Sequence, residues 1–168
     1  KGIRVLELTS TVSGPFAGMM LADQGAEVIK VEPPGLGDVA RFMGTIKDGM
    51  GAKFSTLKRN KKCICLDFKN DEDLAVLKKL VSTTDVIIEN YRPGIVKKLG
   101  IDYETLVKIN PDLIYCSISG YGQSGPYQEK KVYDPLIQGT VGIPNAQSDK
   151  FPELIRTIIY DKVTGLTS

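Results

Sequence analysis

The sequence predicts an α/β fold: a Rossmann-like, largely parallel sheet with flanking helices. Two patterns carry this. Short branched apolar runs alternate with helical-period segments through the first 120 residues, and the connections between them are short, the signature of parallel strands joined by crossover helices. Composition agrees, with 42% hydrophobic and 25% charged residues in 168, enough chain to bury one core.

The elements follow in order. IRVLEL (3–8) is a strand, and GPFAGMMLADQG (14–25) a helix with Pro15 in its first turn and Gly25 as its stop. AEVIKVE (26–32) is a second strand, ended by Pro33-Pro34, and CICLDF (63–68) a third. DEDLAVLKKLVS (71–82) is a helix with acids in its first turn and Lys78 and Lys79 near its end, as the macrodipole favours. DVIIEN (85–90) and DLIYCSIS (112–119) are further strands, with a short helix in IDYETLVKIN between them. Residues 39–58 and 143–152 show no periodicity and read as loops. Leu154–Tyr160 reads as a strand, followed by a helix from Val163 that has barely begun; this predicts a truncated domain.

Composition excludes several function classes. There is no histidine, so His-based triads, His-ligated metals and imidazole switching are absent from this chain. Lysine plus arginine exceeds aspartate plus glutamate by 22 − 20 = 2, too balanced a charge for nucleic acid as a bulk partner. No apolar run approaches the roughly 18 residues of a membrane span. Cys63, Cys65 and Cys116 form an odd set without C-x-x-C spacing, which argues against a disulfide scaffold or a metal site and for a reducing, cytoplasmic setting. Cys63 and Cys65, two apart in a strand, read as packing residues.

In parallel sheets ligands lie beyond the carboxyl ends of the strands, so the loops there are the informative ones. Gly35-Leu36-Gly37-Asp38-Val39-Ala40 matches G-x-G-x-x-A, but Pro33-Pro34 separate it from its strand, so it reads as a turn near a ligand. Asn90-Tyr91-Arg92-Pro93-Gly94 gathers an amide, an aromatic ring and a guanidinium. That trio suits a nucleotide-like ligand, or equally a solvated Pro-Gly turn. Asp161, between an apolar run and a helix, is open to two readings: a helix cap, or a carboxylate nucleophile at a strand end.

Taken together the chain resembles the class III (family III) coenzyme A transferases, a family that also contains acyl-CoA racemases. The resemblance runs from RVLELTSTVSGPFAGMMLADQGAEVIKVEPPGLGD through LDFK, DVIIENYRPG, LGIDYETL, INPDLIYCSISGYGQSGP and VYDPLIQGTVG to YDKVTGL. It implies that residues 1–168 are the N-terminal part of the family's large domain, with the C-terminal half and small domain absent. It implies transfer of CoA from an acyl-CoA to a free carboxylic acid through covalent intermediates on Asp161. CoA and acyl-CoA are then substrates, with no tightly bound cofactor and no metal, and the full-length protein is an interlocked homodimer.

Carried over by the resemblance, the CoA-binding positions are Val12, Ser13, Leu66, Asp67, Phe68, Lys69, Asn90, Tyr91, Arg92, Lys98, Lys131, Val132 and Tyr133. For Lys98 and Lys131 a solvated surface charge is the competing reading. The basic cluster Lys58-Arg59-Asn60-Lys61-Lys62 falls outside these positions. Some relatives place Gln at Val12 and Arg at Pro33, so neither the CoA contacts nor the acyl substrate transfers intact. Racemases use a histidine beside an aspartate where this chain has Tyr133-Asp134, and tyrosine alone is a poor base for an α-carbon proton. Transferase therefore outranks racemase or epimerase, and a non-catalytic CoA-binding remnant is the third reading.

Overall fold

The computed structural model describes residues 2–168. Five parallel strands form the sheet: β1 (Arg4–Leu8), β2 (Glu27–Glu32), β5 (Lys61–Cys65), β6 (Val86–Glu89) and β7 (Ile114–Ser117). Their spatial order is β5-β2-β1-β6-β7. The chain steps outward from β1 to β5, then returns to lay β6 against the other side of β1. Neighbouring connections diverge at this reversal, and in open sheets of this kind ligands bind at that point, beyond the carboxyl ends of β1 and β6.

Period-two alternation along β1 divides the core. Leu6 and Leu8 join Val31, Leu77, Val81, Ile87, Ile101 and Leu106 on the face covered by α3 (Asp71–Val81) and α5 (Tyr103–Leu106). Val5 joins Ala17, Ala22, Val28 and Ile88 under α1 (Ser13–Asp23) on the other. Helix α3 forms as its sequence predicts: the Asn70 side chain accepts from the Glu72 amide, and Asp71, Glu72 and Asp73 fill the first turn.

Four expectations need correction. The third strand starts and ends earlier than 63–68, because Lys61 enters the ladder opposite Val28 and carries its charge inward. Cys63 and Cys65 do not pack: β5 is the sheet edge, and both thiols are exposed. Residues 39–58 are ordered into a 3₁₀ turn (Val39–Phe42), a hairpin of β3 (Ile46–Lys47) and β4 (Met50–Gly51), and α2 (Ala52–Leu57). The same correction applies to the other expected loop, 143–152, where α7 (Ile143–Ala146) makes one turn, following α4 (Ile95–Lys98) and α6 (Asp134–Thr140) in the chain.

The fourth concerns the approach to Asp161. Leu154–Tyr160 joins no strand; the Ile155 amide and the Ile155 and Thr157 carbonyls bond instead to the Gln138 side chain. A side chain thus satisfies backbone groups that periodicity assigned to a ladder. Helix α8 then runs from Ile159 to Thr167, starting four residues before the Val163 expected from the sequence, so Asp161 lies inside its first turn rather than ahead of it.

Candidate active site

Asn90 ties together the loops after β1 and β6. Its Nδ2 donates to the Ser10 carbonyl at 2.9 Å, and its Oδ1 accepts from the Ser10 amide at 2.9 Å. The amide named from the sequence as a ligand donor therefore ties the loop after β1 to the loop after β6. Tyr91 packs against the larger core cluster, while Arg92 is exposed and enters no ion pair among the described residues. Of the trio, the guanidinium is the group that the scaffold leaves exposed.

Beneath the loop after β1 lies a buried set of charges. Lys30 Nζ is 3.0 Å from Glu7 Oε1 and 2.8 Å from Asp38 Oδ2, and donates to the Thr9 carbonyl at 2.7 Å. Lys61 Nζ meets Glu7 Oε2 at 2.5 Å and the Pro15 carbonyl at 2.7 Å. Asp38 Oδ1 accepts from the Thr11 amide at 3.0 Å, holding Thr11 at φ 72°. The two lysines thus bind carbonyls on either side of Val12 and Ser13, Thr9 in the loop and Pro15 in the first turn of α1, and Asp38 binds the Thr11 amide between them. Burial opposes charge on both ammoniums. At Lys30 the carboxylates of Glu7 and Asp38 outweigh it and hold the group above the usual lysine range. At Lys61 burial prevails, with Glu7 alone as counter-ion and Lys30 repelling it. Gly18 is required opposite: a Cβ there would collide with the Glu7 carboxylate.

The basic cluster is absorbed into the scaffold as well. Lys61 is the buried partner of Glu7, Arg59 pairs with Asp23 at 2.5 Å, and Lys62 pairs with Glu27 at 2.7 Å. A second buried carboxyl, Glu89, ends β6. It accepts from the Ser117 hydroxyl and from the Tyr91 amide, the latter at 2.8 Å. Burial pushes its pKa upward against those two bonds. Glu89 thereby anchors the first residues of the Asn90–Gly94 loop from below.

Asp161 sits half-buried on α8, which packs against α1. Gly165, one turn further, allows the approach: a Cβ there would stand 2.7 Å from the Ser13 carbonyl oxygen and 2.9 Å from the Phe16 ring. The structure thus brings the Asp161 helix against the Val12-Ser13 segment. Gly165→Ala is expected to push α8 away, at a cost of about 1–3 kcal/mol for an overpacked contact; the thermal midpoint should fall, and an unchanged midpoint would disprove the close approach. Burial raises the Asp161 pKa above the ordinary carboxylate value; the charge of Asp134 adds to this and Lys53 opposes it. No lysine or arginine pairs with it among the described residues. The result is a more basic carboxylate than a surface aspartate.

The other positions spread along the same edge. Leu66 is buried after β5 and Phe68 packs on the core, with Asp67 and exposed Lys69 in the turn before α3. Lys98 closes α4 and is exposed; Lys131 and Tyr133 are exposed and Val132 is half-buried ahead of α6. An open cleft of about 520 Å³ beyond β2 and β5 is lined by Glu32, Pro33, Leu36, Arg41, Cys63 and Cys65. Arg41 is fixed there by two bonds to Glu32 at 2.8 Å. Sequence reasoning missed Glu7, Lys30, Asp38, Glu89, Asp134 and Gln138. Only Asp134 had an available signal, as an acid followed by Pro135 at a helix start.

Loops tied together beyond the carboxyl ends of β1 and β6, and a half-buried carboxylate on a helix packed against α1, make up the candidate site of this α/β fold. The chain belongs to CoA-transferase family III, whose sequence profile matches residues 1–168. It is 43% identical to the succinate–glutarate CoA-transferase of Agrobacterium fabrum over 99% of its own length and 44% of that protein. It is 40% identical to the mouse (Mus musculus) succinyl-CoA:glutarate CoA-transferase, over 99% of its length and 39% of the relative. The crystal structure of a CAIB/BAIF family protein from Brucella suis matches with a TM-score of 0.94 at 42% identity, over 100% of this chain and 46% of that one. The chain therefore spans less than half the length of these relatives.

Proposed function

We propose that this chain is the N-terminal part of the large domain of an enzyme that moves coenzyme A from an acyl-CoA to a free carboxylic acid, with Asp161 as nucleophile. The observation that carries the reading is the half-buried Asp161, without a cationic partner among the described residues, on a helix seated against the Val12-Ser13 segment. The Asp161 carboxylate attacks the thioester carbonyl and the C–S bond breaks, giving a mixed anhydride and CoA thiolate. The thiolate attacks the aspartyl carbonyl, releasing the donor acid and leaving an aspartyl-CoA thioester. The acceptor carboxylate displaces CoA to form a second anhydride. Thiolate attack on its acyl carbonyl gives the new acyl-CoA and restores Asp161. Dividing the exchange this way spares a weak carboxylate acceptor a direct attack on the original thioester.

Arg92, Lys98 and Lys131 supply positive charge along the path of the CoA phosphates, and Val12, Ser13, Leu66–Lys69, Asn90, Tyr91, Val132 and Tyr133 shape it. At full length the protein is proposed to form an interlocked homodimer. Succinyl-CoA and glutarate, the pair in the mouse relative's name, are the first donor and acceptor to try. The test is trapping: the full-length protein, incubated with acyl-CoA and hydroxylamine, is expected to yield a hydroxamate at Asp161 by peptide mass spectrometry. Absence of modification across a range of acyl-CoAs would sink the proposal, and acceptor-independent deuterium uptake at the α-carbon would point to racemase chemistry.

A further inference from the structure

Resting on the reading of Asp161 as nucleophile, we propose that Asp134 is its positioning residue, clamping the first turn of α8 in concert with Gln138. Asp134 is 4% exposed and Gln138 is 1% exposed, one helical turn apart on α6. Asp134 Oδ2 accepts from the Tyr160 amide at 2.6 Å and the Asp161 amide at 3.1 Å. These amides lie in the first turn of a helix, where no intrahelical acceptor exists, and the residue preceding α8, Ile158, provides no side-chain cap. Asp134 supplies that cap from another helix.

The other carboxylate oxygen fixes the clamp. Asp134 Oδ1 accepts from Gln138 Nε2 at 2.6 Å, and Gln138 holds the segment leading into α8 by its bonds to Ile155 and Thr157. The orientation of the Gln138 amide is determined, because its Oε1 accepts the Ile155 amide at 2.8 Å. The backbone of the nucleophile is thus bonded directly to a buried acid that has no free oxygen for substrate. Asp134 also sets the local field. Of the charged groups around Asp161, Asp134 raises its pKa and Lys53 on α2 lowers it, while Lys162 is turned to the Thr157 hydroxyl.

Asp134→Asn retains size and loses charge, and its amide cannot satisfy two backbone amides and the Gln138 donor together. In the full-length protein kcat is expected to fall on the order of 100-fold, the scale of a small misplacement of a reacting group, with KM for acyl-CoA little changed. The acidic limb of the kcat profile should move to lower pH, because removing the anion lets Asp161 ionise more readily. An unchanged kcat and an unmoved limb, in a variant that binds CoA normally, would overturn the proposal; so would a change in KM alone. If the variant does not fold, hydrogen exchange on the parent protein decides. The Tyr160 and Asp161 amides should be protected despite their first-turn position, and free exchange there would overturn the clamp. Activity surviving in Asp161→Asn would instead refute the nucleophile reading, so the two failures are distinguishable.

Discussion

Replacing Glu7 by Gln is expected to destabilise the protein by about 3–5 kcal/mol, the cost of leaving one side of a buried ion pair uncompensated. Glu7 is fully buried and touches both Lys30 and Lys61. Without its charge, Lys61 has no counter-ion, and Lys30 keeps only Asp38. Net stabilities of domains are about 5–15 kcal/mol, so the loss is large. The lysines also hold the Thr9 and Pro15 carbonyls, so the loop bearing Val12 and Ser13 should loosen first. Urea unfolding measures the loss, and Lys62→Ala is the control: its pair with Glu27 is at the surface and is expected to leave the midpoint in place. Equal midpoints for Glu7→Gln and the parent would show that the buried cluster does not hold the site.

Asp161→Asn is expected to separate stability from activity. Burial raises the folded-state pKa of Asp161, with Asp134 assisting. The folded protein therefore takes up this proton more readily than the unfolded chain does. The resulting contribution is full below the unfolded carboxylate value and is lost as pH rises through the folded value. At neutral pH the native state carries a charge it disfavours, and the neutral amide relieves it. The variant should unfold at a higher temperature than the parent near pH 7, with the difference vanishing as pH falls below the carboxylate range. Transfer should meanwhile drop on the order of 10⁴–10⁶-fold, as when a covalent centre is removed. A less stable variant at pH 7 would mean that the Asp161 charge stabilises the first turn of α8 through the helix dipole more than burial disfavours it.

Residue pattern revealed the sheet well and the site's supports poorly. Strands and α3 were legible because alternation and helical acids mark them locally. Lys61 was not, since a lysine at a strand start reads as solvated until Glu7, distant in sequence, is placed opposite it. Leu154–Tyr160 has the composition of a strand yet pairs with none and turns helical at Ile159, because the partner of its backbone is a glutamine side chain from another helix. Asp161 stood out through the family resemblance; Asp134 was legible as the acid of a helix start but not as a partner of α8, and Glu89 acts through a backbone amide that no sequence pattern displays. The Asn90–Gly94 loop was legible as a site, but the division of labour within it was not. Asn90 and Tyr91 face the scaffold, and of the amide, ring and guanidinium it is the Arg92 guanidinium that remains exposed.

The most direct measurement of the central claim follows oxygen atoms through a single turnover. With the acceptor acid carrying heavy-isotope oxygen in its carboxylate, the second anhydride joins an acceptor oxygen to the Asp161 carbonyl carbon. Thiolate attack on the acceptor's carbonyl then leaves that oxygen on Asp161. Peptide mass spectrometry of the full-length protein should find one heavy oxygen in the Asp161 carboxylate after one turnover and none in the absence of acyl-CoA. Completed transfer with an unlabelled Asp161 would contradict a covalent aspartyl route.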